Sequence, residues 1–471
     1  MNIGNDFVEN HTFDELQIGQ SARLLRTLTQ QDIQAFAAVS GDTNPAHLNA
    51  EYASETLFHG VIAHGMWSGA LISALLGTQF PGTGTIYLDQ ALHFSRPVRI
   101  GDTLTVRATV TSKDDHKKVV ELACEATNQN GEKVVSGIAR VLAPPLKIRM
   151  PRGSLPQIQV FDPEARFNDL LAMVRTLPAV RCAVVHPCDE DSLKGALDAA
   201  RHGLLVPVLI GPESRIRAIA EERDLDLTGM EIVSAPHSHA AAERAAAMAA
   251  SGEVESLMKG SLHTDELIHA VLARKELRTE RRMSHVFRFD VPLYSKPLLI
   301  TDAALNIRPT LEEKTDIVQN AIDFARLLGV ELPRVALLAA LENVHANMPS
   351  TLDAAALCKM ADRGQICGGL LDGPLAFDNA ISAQAALIKQ IDSKVAGQAD
   401  ILLVPDLESG NMLAKQLEHL AGASGAGIVL GARVPIALTS RADGPRARVS
   451  SALLAQLVAH HGRVAKQRSA A

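Results

Sequence analysis

A chain of 471 residues, 47% hydrophobic and 21% charged, is long enough for about three globular units and for cores that need no disulfides. Its net charge of -7 argues against a general nucleic-acid binder, which is basic as a rule, and leaves room for a local basic pocket. The five cysteines, odd in number and without a CxxC pair, offer neither a disulfide framework nor a structural zinc site, and aromatics at 3% leave Leu, Val, Ile and Ala to fill the interior.

The opening MNIGNDFVENHTF lacks the basic-then-apolar pattern of a secretory signal. The longest apolar runs, such as GLLVPVLIG, are far too short to span a bilayer. With no disulfide framework, these features predict a cytoplasmic protein with no membrane partner. A helix is predicted over 29–40, followed by the loop SGDTNPAHLN, and a second helix begins near HGMWSGALISALLG. Four strand-like runs follow: TIYLDQALHFSRPV, TLTVRATVTS, KKVVELACEATNQ and KVVSGIARVLA. Asn130-Gly131, between the last two, marks a hairpin turn. A long apolar helix ahead of a meander of long strands predicts an α+β domain over 1–143, the helix packed on an antiparallel sheet.

Residues 144–164 carry Pro144, Pro145, Pro151, Pro156 and Pro163. Proline fixes φ and removes a donor, so this stretch is read as a linker. From 165 to 471 short apolar runs (RCAVVHPC, LLVPVLIG, MEIVSA) alternate with Ala-rich helical stretches (EDSLKGALDAARHG, SHAAAERAAAMAAS), which indicates βα units and a mainly parallel sheet. About 300 residues of this pattern is large for one sheet. Two lobes are therefore expected, lobe I over about 165–314 plus 434–471 and lobe II over about 315–433, with a cleft between them. GxGxxG and Walker A motifs are absent, as is any repeat of solenoid length.

The first constellation that carries chemistry is Asp42 and His47, five residues apart around the turn-forming Asn44-Pro45. On such a loop both side chains can converge on one water. Hydration of a 2-enoyl thioester needs this: a base takes a proton from the water attacking C3, and an acid delivers one to C2. The charge growing on the thioester oxygen is steadied at a helix N-terminus. His64-Gly65-Met66 opens the apolar helix, and Gly65 lets an acyl group approach the backbone N–H. The bland reading has Asp42 capping a turn and His64 as an ordinary helix-start residue, and spacing alone does not choose. The stretch SGDTNPAHLNAEYASETLFHGVIAHGMWSGALISALLG, with PGTGTIYLDQALHFSRPVRIGDTLTVRATV downstream, resembles the MaoC-type (R)-specific enoyl-CoA hydratases over about residues 12–143. The resemblance implies a hot-dog fold that dimerises. It implies Asp42 and His47 as catalytic pair, the Gly65 amide as oxyanion donor, an active-site hydroxyl at Ser73, and Asn44 and His64 on the substrate side.

The second constellation lies in three C-terminal pieces: ESLMKGSLHTDELIHAVL, VAGQADILLVPDLESGNMLAKQL and AGIVLGARVPIALTSRADG. In parallel α/β proteins ligands sit beyond the carboxyl ends of strands, and Ser440-Arg441 follows the run VPIALT. A serine hydroxyl and an arginine fork suit phosphate oxygens. Lys259-Gly260-Ser261 adds a cation, a close backbone approach and a hydroxyl, and Gly410-Asn411 opens a helix after the PDLES turn. Ser-Arg after a strand is also common without function. These pieces resemble the phosphate acetyltransferase and butyryltransferase family over about residues 165–465, most specifically in P-D-L-x-x-G-N and P-I-x-L-T-S-R. The resemblance implies a two-lobed α/β fold that exchanges an acyl group between CoA and phosphate with no metal or other cofactor. It places Ser440 and Arg441 in the chemistry, and Lys259, Gly260, Ser261, His263 and Thr264 in the phosphate loop. Two positions depart from it. Ala447 stands where acetyltransferases carry an aspartate seven residues past the serine, with Asp443 nearby, and Ile268 stands where an arginine is expected. Arg433 or the Arg274–Arg282 cluster could supply that charge.

The leading expectation is a bifunctional acyl-CoA enzyme and homo-oligomer, taking acyl-CoA, acyl phosphate or phosphate and no nucleic acid. The alternatives are an active hydratase with a non-catalytic, acyl-CoA-binding regulatory C-terminal domain, and a thioesterase in the hot-dog domain, which the D-x-N-P-x-H plus H-G-M pairing disfavours.

Overall fold

The structure is a computed structural model that describes residues 7–151, 161–440 and 443–470. It divides into two compact units, Met1–Val160 and Phe161–Ala471.

In the first unit β1 (Phe7–Glu9) pairs antiparallel with β7 (Arg149–Pro151), apart from the main sheet. That sheet has five antiparallel strands, β2 (Ser21–Thr27), β3 (Ile86–Phe94), β4 (Thr103–Asp114), β5 (Val119–Thr127) and β6 (Lys133–Leu142), in the order β2-β4-β5-β6-β3. Period-2 alternation sends Leu104, Val106, Ala108 and Val110 of β4, and Val120, Leu122, Cys124 and Ala126 of β5, into one core. The β5–β6 hairpin closes at Asn128–Glu132, where Asn128 Oδ1 accepts the Asn130 N–H and Gly131 takes a φ of 77°. Among the described residues the α-helices of this unit are α1 (Gln30–Ser40), α2 (Pro45–Leu48), α3 (Ala50–Glu55) and α4 (Gly65–Thr78), of which α1 and α4 add side chains to the core. The long α4 buries Trp67, Ile72, Leu75 and Leu76 against the sheet. This is the hot-dog arrangement, a helix wrapped by an antiparallel sheet.

The second unit is built on one continuous sheet of eleven strands. They are β8 (Val180–Val185), β9 (Leu205–Gly211), β10 (Glu231–Ser234), β11 (Ser256–Lys259), β12 (Ser284–Asp290), β13 (Leu298–Thr301), β14 (Arg334–Leu338), β15 (Leu370–Leu375), β16 (Ile401–Leu403), β17 (Ser424–Leu430) and β18 (Ile436–Ala437). Helices α5 (Pro163–Val174), α6 (Glu190–Arg201), α7 (Glu213–Glu222), α8 (Ser238–Ser251), α9 (Thr264–Ala273), α10 (Leu311–Leu327), α11 (Pro349–Asp362), α12 (Phe377–Ile381), α13 (Ala383–Ile388), α14 (Leu407–His419) and α15 (Pro445–Ala470) flank it. The expectation that so long a segment exceeds one sheet is corrected here, because the two lobes share a ladder. β12 and β17 pair along their whole lengths, Ser284 to Asp290 against Leu430 to Ser424, and join the halves.

Strand direction reverses across that join. β10, β9, β8, β11 and β18 are mutually parallel, as are β13, β16, β14 and β15, while β12 is antiparallel to both its neighbours and β17 antiparallel to β18. The carboxyl ends of β8, β11 and β18 therefore lie at one edge of the sheet, and those of β13 and β16 at the other. One large core, including α5, α6, α10 and α15 residues, covers one face, and two smaller ones lie around Ala-rich α8 and around Phe289 and α14. Among the described residues no helix is long and apolar enough to cross a membrane.

Candidate active sites

In the first unit, α1 ends at Gly41, whose φ of 74° turns the chain toward the Asp42 loop. Asn44 Oδ1 accepts the Ala46 N–H at 3.0 Å and caps α2, with Pro45 in its first turn. This cap turns the chain between Asp42 and His47 and brings them together. Ligand atoms of Asp42, His47 and His64 all lie within 4.8 Å of one another, the one such group among the described residues that could hold a metal. His47 Nδ1 lies 2.8 Å from the Ile62 carbonyl, which fixes Nδ1 as the protonated nitrogen and leaves the Nε2 lone pair for a water. His64 is buried at the start of α4. Its Nε2 lies 3.2 Å from the Asp42 carbonyl, and its ring packs against that of His47 with centroids 4.0 Å apart and planes tilted by 34°. Beside them a pocket of about 300 Å³ is lined by His47, His64, Gly65, Ser68, Phe94 and Arg96 among others. The arrangement offers a carboxylate, an imidazole lone pair and a helix N-terminus around one small space, which suits proton transfer with a developing oxyanion.

Placement of the expected residues is uneven here. Asp42, His47 and His64 meet, and Gly65 lines the pocket. Asn44 acts as a cap instead of facing the pocket. Ser73 is exposed on α4 and does not line it, because the helical repeat carries position 73 off the face that holds His64. Ser68, buried and four residues after His64, is the hydroxyl on that face. A Cβ added at Gly65 would meet the Phe94 ring at 3.5 Å, an ordinary contact, so close packing is not what selects this glycine.

In the second unit the carboxyl ends of β8, β11 and β18 converge. The Gly260 N–H donates to the Val185 carbonyl and the Ser261 N–H to that of His186, both at 2.9 Å. A Cβ at Gly260 would sit 2.4 Å from the Val185 oxygen and 2.6 Å from that of His186, so this glycine serves loop-to-loop packing. Ser261 Oγ lies 3.3 Å from His186 Nδ1, and burial pushes the His186 imidazole below its usual value. Lys259, 3% exposed, points its ammonium toward the Gly260 and Thr439 carbonyls at 3.5 Å and so ties β11 to β18. The Ser440 N–H donates to Asp443 Oδ2 at 2.7 Å. Burial pushes the Asp443 carboxyl up, the Ser440 N–H opposes this, and the Glu418 carboxyl beside it raises it further. A pocket of about 250 Å³ adjoins this turn, lined by Gly444, Ala447, Glu418, Ser424 and the buried ion pair of Arg288 with Asp290. Hydroxyls, backbone amides and a carboxyl thus gather at strand ends, where an anionic ligand is usually held.

Four expected positions stand elsewhere. Gly410 and Asn411 do not open α14 but lie inside it, since the helix that follows β16 at the opposite edge of the sheet is capped by Asp406 and begins at Leu407. Gly410 is packed on Ala303 and Val404, and Asn411 Nδ2 donates to the Ala303 carbonyl at 3.3 Å. Arg433 is exposed in the connection between β17 and β18. Because those strands are antiparallel, that connection and Ser440 lie at opposite ends of the hairpin. Ile268 is half-buried and packs its apolar side chain against the Ala-rich α8 core. His263 is exposed as the N-cap of α9 and Thr264 opens that helix, while Arg441 lies outside the described residues. His186 and Asp443 were not among the expected residues. The signal for His186 was present, since it ends the apolar run RCAVV as Ser440 follows VPIALT.

A hot-dog unit with an Asp–His loop at a helix start, followed by an α/β unit with an anion-suited strand-end cluster, defines a two-module protein of the dehydratase and acyltransferase classes. The family profile described as MaoC like domain matches residues 15–130, and that described as Phosphate acetyl/butaryl transferase matches residues 239–456. A phosphate acetyltransferase of Rhizobium meliloti is 58% identical over 303 residues, covering 64% of this chain and 96% of the relative. The crystal structure of a branched-chain phosphotransacylase from Enterococcus faecalis aligns with a TM-score of 0.53 and 29% identity over 60% of this chain and 99% of its own. An unliganded R-hydratase from Pseudomonas aeruginosa is 47% identical over 33% of this chain and 99% of its own, with a TM-score of 0.32. The chain belongs to the phosphate acetyl/butyryltransferase family and carries an N-terminal MaoC-like domain.

Proposed function

We propose that the chain is a bifunctional acyl-CoA enzyme, with a hydration module in residues 1–143 and an acyl-transfer module in residues 165–471. The transfer module exchanges a short acyl group, acetyl foremost, between CoA and phosphate. In the acyl-CoA-forming direction the CoA thiolate attacks the acyl phosphate carbonyl, the C–S bond forms, the C–O bond breaks and phosphate departs. The Rhizobium relative and the cluster of Ser261, Ser440 and Asp443 support this reading. The hydration module adds water across a trans-2-enoyl-CoA to give a (3R)-hydroxyacyl-CoA. The observation that carries it is the convergence of Asp42, His47 and His64 beside a pocket at the start of α4. Either His47 or Asp42 takes the proton of the water attacking C3 and, so protonated, delivers a proton to C2 and returns to its starting state, while the other orients the water and the first amides of α4 face the thioester oxygen.

Crotonyl-CoA hydration and acetyl-CoA formation from acetyl phosphate, measured on one preparation, test both halves. Asp42→Asn and His47→Gln should each lower hydration turnover by at least about 100-fold, the scale of general acid–base catalysis. Near-normal turnover in either variant excludes the assigned pair. Ala447 and Ile268, standing where the family resemblance leads one to expect an aspartate and an arginine, favour a second reading, an active hydratase with a non-catalytic acyl-CoA-binding C-terminal unit. Absence of acetyl-CoA formation by wild-type protein would establish that reading. The edge strand β3 exposes Ile86, Leu88 and Phe94, which supports assembly into a homo-oligomer. The five cysteines are unpaired, which supports a reducing, cytoplasmic location.

A further inference from the structure

Arg448, in the first turn of α15, heads the largest side chains that the fold buries completely. Its guanidinium spends every arm on two loops. Nε donates to the Asp443 carbonyl at 3.2 Å and Nη2 to the Ser440 carbonyl at 3.3 Å. Nη1 donates to the Lys259 carbonyl at 3.3 Å and to Thr439 Oγ1 at 3.1 Å. Among the described residues no carboxylate lies within ion-pair distance. Asp189, Asp443 and Asp191 act on it only through the longer-range field. Burial pulls its pKa down, yet a guanidinium stays charged in proteins.

Two local choices run against stability to put it there. An unpaired charge is taken out of water, where an apolar residue of similar volume would cost less. In the middle of α6 stands Gly195, a poor helix residue, and a Cβ there would lie 2.7 Å from Arg448 Cβ and 2.8 Å from its Cδ. The fold thus pays in two elements to seat one cation beneath the Lys259–Ser261 loop and the backbone carbonyls of Ser440 and Asp443.

We propose that Arg448 is the positioning residue of the transfer site: its planar fork locks the two loops to each other, and its unpaired charge beneath them strengthens the hold on phosphoryl oxygens. The inference rests on the acyl-transfer reading for its kinetic consequence, but not for its effect on phosphate binding. Inorganic phosphate binding to the full chain by calorimetry, and acetyl transfer with kcat and KM for phosphate resolved, are measured for wild type, Arg448→Lys and Arg448→Met, with thermal melts alongside. Arg448→Met should weaken phosphate binding by about 10-fold and lower kcat by about 100-fold, the scale of a lost preorganised electrostatic group. Arg448→Lys keeps the charge and loses the fork, so it should hold phosphate affinity within about threefold while kcat drops about 10-fold. A purely structural arginine would instead lower the melting temperature and leave phosphate affinity and the kcat-against-KM split unmoved. Arg448→Met that melts like wild type and keeps phosphate affinity and kcat within about twofold overturns the proposal. If both arginine variants fail to fold, Thr439→Val decides, since it keeps shape and withdraws one acceptor. A raised phosphate Kd supports the proposal, and an unchanged one ends it. Wild-type protein that binds phosphate without transferring acetyl would remove the transfer reading and leave the binding effect of Arg448 to be read.

Discussion

At Gly260 the loop after β11 passes so close to the end of β8 that a methyl group has no room, with two carbonyl oxygens under 3 Å from where it would stand. Gly260→Ala should therefore cost about 1–3 kcal/mol of stability in chemical denaturation of the second unit, the usual price of forced overpacking, and should lower acetyl transfer with it. A variant as stable as wild type would show that the loop is loose. Its neighbour His186 makes the acid side of stability specific. Unfolded, the imidazole takes a proton near pH 6.5, while burial in the fold depresses that value. The contribution of the neutral ring is full above about pH 6.5 and is lost as pH falls through the depressed folded value. His186→Asn should flatten the stability loss between about pH 7 and pH 5.5, and an unchanged slope would remove His186 as its source. Residue identity alone foretold some of this and not the rest. Asp42 and His47 were legible through the resemblance of the D-x-N-P-x-H loop and the H-G-M that follows it, because spacing alone left a capping role for Asp42 open. The sequence offers Lys259 as a cation for phosphate, but a strand-end lysine can turn inward as easily as outward, and its direction is set by the packing of β11 on β18.

The helices and strands transmit these choices over longer distances. Asn44 shows this at the smallest scale, since one side chain both starts α2 and holds the Asp42–His47 loop in shape. Asn44→Ala should cost about 1 kcal/mol, the worth of an N-cap. It should also lower crotonyl-CoA hydration by about 10-fold, because 1.4 kcal/mol of misplacement is a factor of ten. Full activity in that variant would mean that α2 holds its geometry without the cap. Most elements were readable from apolar periodicity, including the NQNGEK hairpin and the βα alternation after residue 165. Strand direction was not. A run such as AGIVLG reads alike in either sense, so nothing in it announced that β17 and β12 reverse the sheet. That reversal is why Gly410, Asn411 and Arg433, grouped with Ser440 by motif, fold to the other edge. Ser73 illustrates the same gap on a helix, where counting residues from His64 finds a serine but the 3.6-residue repeat decides which face it takes.

Across the whole chain the buried clusters do not mix. One cluster holds only residues of the first unit, and the other three hold only residues of the second. Two activities supported by separate cores should be separable by mutation. Ser440→Ala is expected to lower acetyl transfer at least about 100-fold, as loss of a transition-state donor does, with hydration held within about twofold. Asp42→Asn should do the converse. Cross-inhibition beyond that range would mean that the units share more than a covalent link.

The eleven-stranded ladder sets the tempo of the second unit. Its two halves meet through β12 and β17, paired along their full length and mostly buried, apart from Ser424 and Gly425 where β17 begins. In deuterated solvent the amides of these two strands should be among the last to exchange, opening only with global unfolding. Passage of substrates is then expected at the rims, by excursions of loops and helix ends on the nanosecond-to-microsecond scale of such motions, while the paired spine between them stays closed.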